Sequence, residues 1–240
     1  MISAFLASGG LVATAVTIRG DRQQFQLSRE GLVAERYGRA AEQLSSSRRE
    51  VRIAAIYALE KVAADSPRDA ITIRDLLGAY VREHDPSLKV EDGQLPPEPE
   101  TDVSAALAVL SRRPQDPDKS PQLDLHQVRV PHLHLPSKAE LSNANLGGAD
   151  LGTASLREID LSKAFLKNAN LHDADLSGAN LRKSDMRCTY LEKAILARAD
   201  LRGADVRGVR NVSKEQIIQQ HVIMDAQTKF GPYPCPKDHA

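Results

Sequence analysis

The sequence predicts an α+β chain in which a small α-helical domain precedes a square solenoid of stacked five-residue units. Three observations carry this. Leucine recurs at every fifth position through "NANLGGADLGTASLREIDL" (Leu146, Leu151, Leu156, Leu161). Five residues advance a helix by about 140° net, so such leucines would wind around it and form no stripe. Between Asp21 and Arg113, by contrast, apolar residues recur at spacings of three and four, the period of helices. Finally, two proline-rich stretches, residues 86–100 and "PQDPDKSPQ", interrupt the patterns where elements should end.

Residues 1–18, "MISAFLASGGLVATAVTI", carry no charged side chain, and Arg19 and Arg22 follow at once. This segment, with its boundary at 19, is expected to anchor the chain in the inner (cytoplasmic) membrane as a single pass. The arginines then keep the bulk of the chain cytoplasmic. The competing reading is a soluble helix packed on the next domain.

A helical domain is expected over 20–113. "QFQLSREGLVAERYGRAAEQL" makes its first helix. Ser47 and Glu50 are spaced as a capping box opening "REVRIAAIYALEKVAAD". There Val51, Ala54, Ala55, Ala58, Leu59 and Val62 form an apolar face with Ile56 at its edge. Ser66-Pro67 starts a third helix carrying Ile71, Ile73, Leu76, Leu77, Tyr80 and Val81. "TDVSAALAVLSRR" is the fourth, and residues 114–122 form a linker.

The repeat runs unbroken from Ala139 to Gly208 in 14 units, with leucine central in 12 and alanine two places earlier in 11. Asp or Asn lies between these inward residues in nine. Each unit reads in, out, in, then a two-residue turn. Four units close one square coil, and coils stack at about 4.8 Å. Upstream, Leu125, Val130 and Leu135 keep the spacing, with Leu123, Val128 and Leu133 in the small inward place. One extra residue, assigned to Lys138, shifts the phase. The solenoid is therefore expected over 123–212. Residues 213–240 then form a capping helix, opened by Ser213 and Gln216, and a tail over the last coil.

The A-[DN]-L-x-x run resembles the pentapeptide repeat family, and this implies a right-handed quadrilateral β-helix. "VRIAAIYALEKVA" is similar to a HEAT-type helix. The order of segments resembles actinobacterial-type pentapeptide proteins with a membrane segment and helical domain, a group to which the resemblance assigns no chemistry. Some family members mimic DNA and bind type II topoisomerases.

Basic and acidic residues balance at 32 each, so the whole molecule exerts no strong pull on polyanions. Between Ala139 and Arg210 there are ten acidic and 11 basic residues, with Arg182, Lys183, Arg187, Lys193, Arg198, Arg202 and Arg207 crowding the second half. A DNA mimic needs an acidic surface, so that reading is disfavoured, and interleaved aspartates argue against a nucleic-acid partner. No phosphate-cradling loop, nucleophile elbow or HExxH occurs, and His132 and His134 lack further ligands at metal spacing. No catalytic residue, cofactor or metal is expected. The two cysteines, Cys188 in a turn and Cys235 in the tail, are read as free thiols in a reducing compartment.

Phe165, Tyr190 and Ile195 break the polar rule at outward positions. They are the candidate docking residues, either for an unidentified protein partner or for the chain's own helices. The expected function is that of a non-enzymatic interaction or scaffold protein, whose oligomeric state the sequence leaves open.

Overall fold

The computed structural model describes residues 7–84, 99–112 and 122–236, and for residues 7–23, 25 and 26 the backbone alone. Five helices occur among them: α1 (Ala7–Leu44), α2 (Arg49–Asp65), α3 (Ala70–Glu83), α4 (Thr101–Leu110) and α5 (Lys214–Ile218).

The boundary expected at residue 19 falls inside α1, which runs without a break from Ala7. Among its described side chains, α1 packs through Val33, Tyr37, Ala40 and Leu44, while Leu27 and Leu32 stay exposed. Among the described residues no helix is long and apolar enough to cross a membrane. Residues 1–6 of the expected anchor lie outside the described residues.

The start of α2 corrects the expected capping box. Its N-cap is Arg48, which makes no side-chain cap bond. Instead the Arg48 N–H donates to the Ser46 hydroxyl, and the Arg52 guanidinium donates to the carbonyls of Ser46 and Ser47. The buried face is also turned from the expected one. Ala55, Ile56, Leu59, Val62 and Ala63 are buried, whereas Ala54 and Ala58 are exposed, because bulky Ile56 sits at the centre of the face. α3 begins three residues beyond Ser66-Pro67. Those residues form a turn closed by Asp69 N–H to Ser66 carbonyl and by the Ser66 hydroxyl on the Asp69 carboxylate. Ile73, Leu77, Tyr80 and Val81 are buried as expected, and Ile71 is exposed.

One polar node joins three of these helices. Asp102 of α4, 0% exposed, accepts from the Tyr80 hydroxyl of α3 at 2.6 Å and from Arg52 Nε of α2 at 2.6 Å. Burial pushes the Asp102 carboxyl up, but the bonds from Tyr80 and Arg52 outweigh it and hold the carboxyl below its usual range. Burial, and then the adjacent carboxylate, drive the Tyr80 hydroxyl well above its ordinary value. A buried ion pair survives only with such saturation.

The solenoid is a stack of parallel one-residue bridges. Partners lie 20 residues apart through its body (Glu140 with Asp160, Asp160 with Asn180), which is four units of five and so one four-sided coil. In the first coil they lie 21 apart (Asp124 with Asn145, His134 with Ser155). The extra residue is therefore present, and Lys138 occupies the left-handed turn position at φ 66°. Every central residue from Leu125 to Val206 is buried, as are all the residues two places before them, so the core reading holds throughout. The two hydroxyls at inward positions are satisfied by carbonyls: Ser184 donates to Leu181, and Thr189 to Leu166 one coil away.

Both ends are covered. Gly78 of α3 packs against Leu123, Arg82 pairs with Asp124 at 3.3 Å, and the Glu140 N–H donates to the Ser111 carbonyl at 2.7 Å. The helical domain is thus the lid of the first coil. At the other end Ser213 and Gln216 do form a capping box on α5. The solenoid does not end at 212, however. Ile223 pairs with Asp200 and Lys229 with Asp205, so the chain adds two more rungs after a single-turn helix.

Candidate docking faces of the prism

The bridges sort outward residues into four columns. The first holds Asp124, Asn145, Phe165, Asp185, Asp205 and Lys229, and the second Arg129, Asp150, Asn170, Tyr190 and Arg210. The third holds His134, Ser155, Asp175 and Ile195, and the fourth Glu140, Asp160, Asn180, Asp200 and Ile223.

Asp and Asn earn their frequency in a specific way. Each accepts the backbone N–H two residues on, as in Gly152 to Asp150 at 3.0 Å, Ser162 to Asp160 at 2.8 Å and His172 to Asn170 at 3.1 Å. This local bond fixes the turn that leaves each rung. Where an arginine lies two places after an aspartate, its guanidinium folds back as well: Arg187 on Asp185, Arg202 on Asp200 and Arg207 on Asp205. These hydrogen bonds hold the Asp200 and Asp205 carboxyls below, and the three guanidinia above, their ordinary values. Three of the seven basic residues of the second half are therefore each paired with an aspartate, while their side chains stay 28%, 38% and 36% exposed.

Two corners flank the first column. One stacks Lys163, Arg182-Lys183 and Arg202, with the Lys163 N–H donating to the Arg182 carbonyl at 2.8 Å. The other stacks Lys167, Arg187 and Arg207 in successive coils, with the Asn168 N–H on the Arg187 carbonyl at 3.0 Å. A prism neutral in total thus has one basic side. The reason is local: Lys167 follows Phe165 and Arg182 follows Asn180, so neither has an aspartate two residues before it.

The three candidate residues fare differently. Phe165 is 47% exposed at the middle of the basic side, between Lys163 and Lys167. Ile195 is 46% exposed on the third column. Tyr190 is half-buried. Its hydroxyl accepts from Arg210 at 2.7 Å, and that guanidinium lies 4.8 Å from the ring centre. The structure brings the three to no common patch, and the contacts of the helical domain described above fall on the first coil, away from all of them. His134 Nδ1 lies 2.7 Å from the His132 carbonyl, and no group of three His, Cys, Asp or Glu converges as a metal site among the described residues.

The free-thiol reading is overturned. Cys188 and Cys235, 47 residues apart, form a disulfide. The fold brings the tail back over the corner that holds Cys188, which no short-range sequence signal reveals. A signal for the extra rungs did exist: "VIM" and "TKF" each repeat the in, out, in pattern after α5.

The family model described as "Pentapeptide repeats (8 copies)" matches residues 139–178 and 174–210. No curated protein matches the sequence. Similar solved structures include the pentapeptide repeat protein Rfr23 from the cyanobacterium Cyanothece 51142, at 28% identity and TM-score 0.34, covering 42% of this chain and 64% of that one. QnrB1, a plasmid-mediated fluoroquinolone resistance protein, is 15% identical with TM-score 0.29, covering 44% of this chain and 59% of its own. The pentapeptide repeat protein alr5209 from Nostoc Pcc 7120 is 27% identical with TM-score 0.24, covering 43% and 86%. The chain thus spans less than two thirds of the length of the first two.

Proposed function

We propose that this chain, whose residues 139–210 are pentapeptide repeats, is a non-enzymatic interaction protein that docks a protein partner on the basic side of its prism. Phe165 carries the reading. A phenylalanine left 47% exposed on a rigid rung, with lysines on both flanking corners, has the composition of an interface anchor with a charged rim. A partner suited to it offers an apolar pocket edged by carboxylates.

Anchoring at the inner membrane face through residues 1–18 belongs to the same proposal and is supported by sequence: a charge-free stretch followed by Arg19 and Arg22. On this reading the part of α1 beyond Arg19 leads from the anchor into the helical domain. Carbonate-washed membranes should retain the full chain, and recovery of all of it in the wash would remove the anchor from the proposal.

Proximity labelling in cells tests the docking site. The wild type and Phe165→Ser/Lys167→Glu should fold alike but label different neighbours. Identical labelling would overturn the Phe165 site. The second reading, a DNA mimic acting on a type II topoisomerase, requires an acidic duplex-like surface, and the basic side disfavours it. Strong inhibition of supercoiling by the purified protein would reverse that ranking.

A further inference from the structure

The tail "PYPCP", residues 232–236, is laid along the corner that stacks Lys167, Arg187 and Arg207. The Tyr233 ring lies 4.9 Å from the Arg187 guanidinium, 5.3 Å from that of Arg207 and 5.8 Å from the Lys167 ammonium. Arg187 also donates to the Tyr233 hydroxyl at 2.8 Å. One tyrosine therefore covers cations from three successive coils. The corner is shaped to receive it. A Cβ added to Gly208 would fall 2.7 Å from Cys235 Sγ and 2.8 Å from Tyr233 Cβ, so the close approach depends on glycine there. Three prolines keep the strap extended, and it lays down no rung of its own.

The non-covalent hold on this strap is slight. Pro232, Pro234 and Pro236 are exposed, Tyr233 is partly buried, and its cation contacts are of the surface kind. Arg210 adds one hydrogen bond to the Pro236 carbonyl. The covalent hold is the Cys188–Cys235 disulfide. Its two sulfurs differ in access: Cys188 is 0% exposed, whereas Cys235 is partly exposed. An attacking thiolate therefore reaches Cys235.

We infer that residues 232–236 are a redox-released strap: reduction of Cys188–Cys235 by a cellular dithiol lifts Tyr233 off Lys167, Arg187 and Arg207 and opens that cationic corner to anionic groups. The chemistry is thiol–disulfide exchange. A dithiol's thiolate bonds to Cys235 Sγ, and the disulfide bond breaks with its electron pair on Cys188, which takes up a proton. The dithiol's second sulfur then displaces Cys235, which is protonated in turn. The dithiol leaves as a cyclic disulfide, having given two electrons and two protons. This inference stands apart from the docking at Phe165.

The test uses the full chain, oxidised or reduced with dithiothreitol, beside Cys188→Ser/Cys235→Ser. In NMR spectra the Tyr233 ring signals should move to the positions of a free tyrosine on reduction, while the amides of 146–201 keep their protection from hydrogen exchange. The double variant should match the reduced protein with or without reductant. On a heparin column, a polyanion probe, the reduced form should elute at higher salt than the oxidised, and Arg187→Gln/Arg207→Gln should abolish the difference. Tyr233 ring signals unmoved by reduction would overturn the inference. So would loss of protection throughout 146–201, which would make the disulfide a structural staple. Identical elution of both redox forms would overturn the uncovering of the corner.

Discussion

In the helical domain one carboxylate, Asp102, holds α2, α3 and α4 together by accepting from Arg52 and Tyr80. In the prism the comparable work is divided among ten Asp and Asn side chains, each closing its own turn. The first arrangement is non-local and unique, with 50 residues between Arg52 and Asp102. The second is local and repeated, with partners two residues apart. Loss of one member should therefore be severe in the helices and mild on the prism surface. Only the prism's shared apolar core should be as unforgiving as Asp102.

The largest effect expected is from Leu171→Asp. It places an unpaired charge at a 0% exposed position in mid-stack and should cost more than about 5 kcal/mol, unfolding the solenoid. A soluble variant with unchanged melting would defeat the core assignment. Asp102→Ala comes next, at about 3–5 kcal/mol, because it strands Arg52 in a site built for a pair. Hydrogen exchange should rise across 49–110 and stay unchanged over 146–201. If both regions opened together, lid and prism would be one cooperative unit and the contrast would fail.

Acid should act on both regions with the same sign. Asp102, Asp200 and Asp205 all have depressed folded-state values. A depressed carboxyl contributes stability that is complete above its unfolded value, about 3.9, and is lost as pH falls through the folded one. Urea midpoints should be unaffected by these groups between about pH 7 and 5 and should fall below about pH 4. A fall already complete at pH 5 would contradict the assignment. Asp102→Asn should remove the helical share of that acid loss and leave the solenoid share.

Smaller still is Asp150→Ala. It deletes the acceptor of Gly152 N–H and of Asn170 Nδ2 and should cost about 1 kcal/mol in thermal melts. A loss as large as that of Asp102→Ala would show that the rungs are not independent. Phe165→Ser should change stability by less than about 0.5 kcal/mol, since the ring is exposed. A larger loss would mean that Phe165 is structural and unavailable for docking.

Legibility followed the same division. Each unit repeats its inward residues and closes its turn within five residues, so the pattern around Leu146 or Ala149 carries the core, the phase shift near Lys138 and the outward exceptions. The Arg52–Tyr80–Asp102 node joins residues from three helices, and none of the three is unusual in its own neighbourhood. The face of α2 was misplaced around Ile56 for the same reason, since packing against other helices decides which of two plausible faces is buried. Candidate docking residues could be named as exceptions to a rule, but their separation onto three columns, and the basic side around Phe165, required the coil geometry. The bond between Cys188 and Cys235 stays hidden because the capping helix and tail expected over 213–240 contain no rungs, whereas Ile223 and Lys229 form rungs that return the tail to that corner.

The extra residue of the first coil and the placement of α5 share a rule about where this chain accepts new sequence. One insertion sits at the corner holding Lys138, and the single helical turn of α5 at a later corner lengthens the interval between Asp200 and its partner Ile223 to 23 residues. In both cases the following rung resumes with its side chains facing the same way. An added residue inside a rung would instead disrupt the in, out, in alternation of that unit, turning leucine outward or aspartate inward there. Peptide tags, linkers and reporter domains should therefore be spliced into the corners, after the second turn residue. Shortening or lengthening the prism should proceed by whole blocks of about 20 residues, one coil at a time.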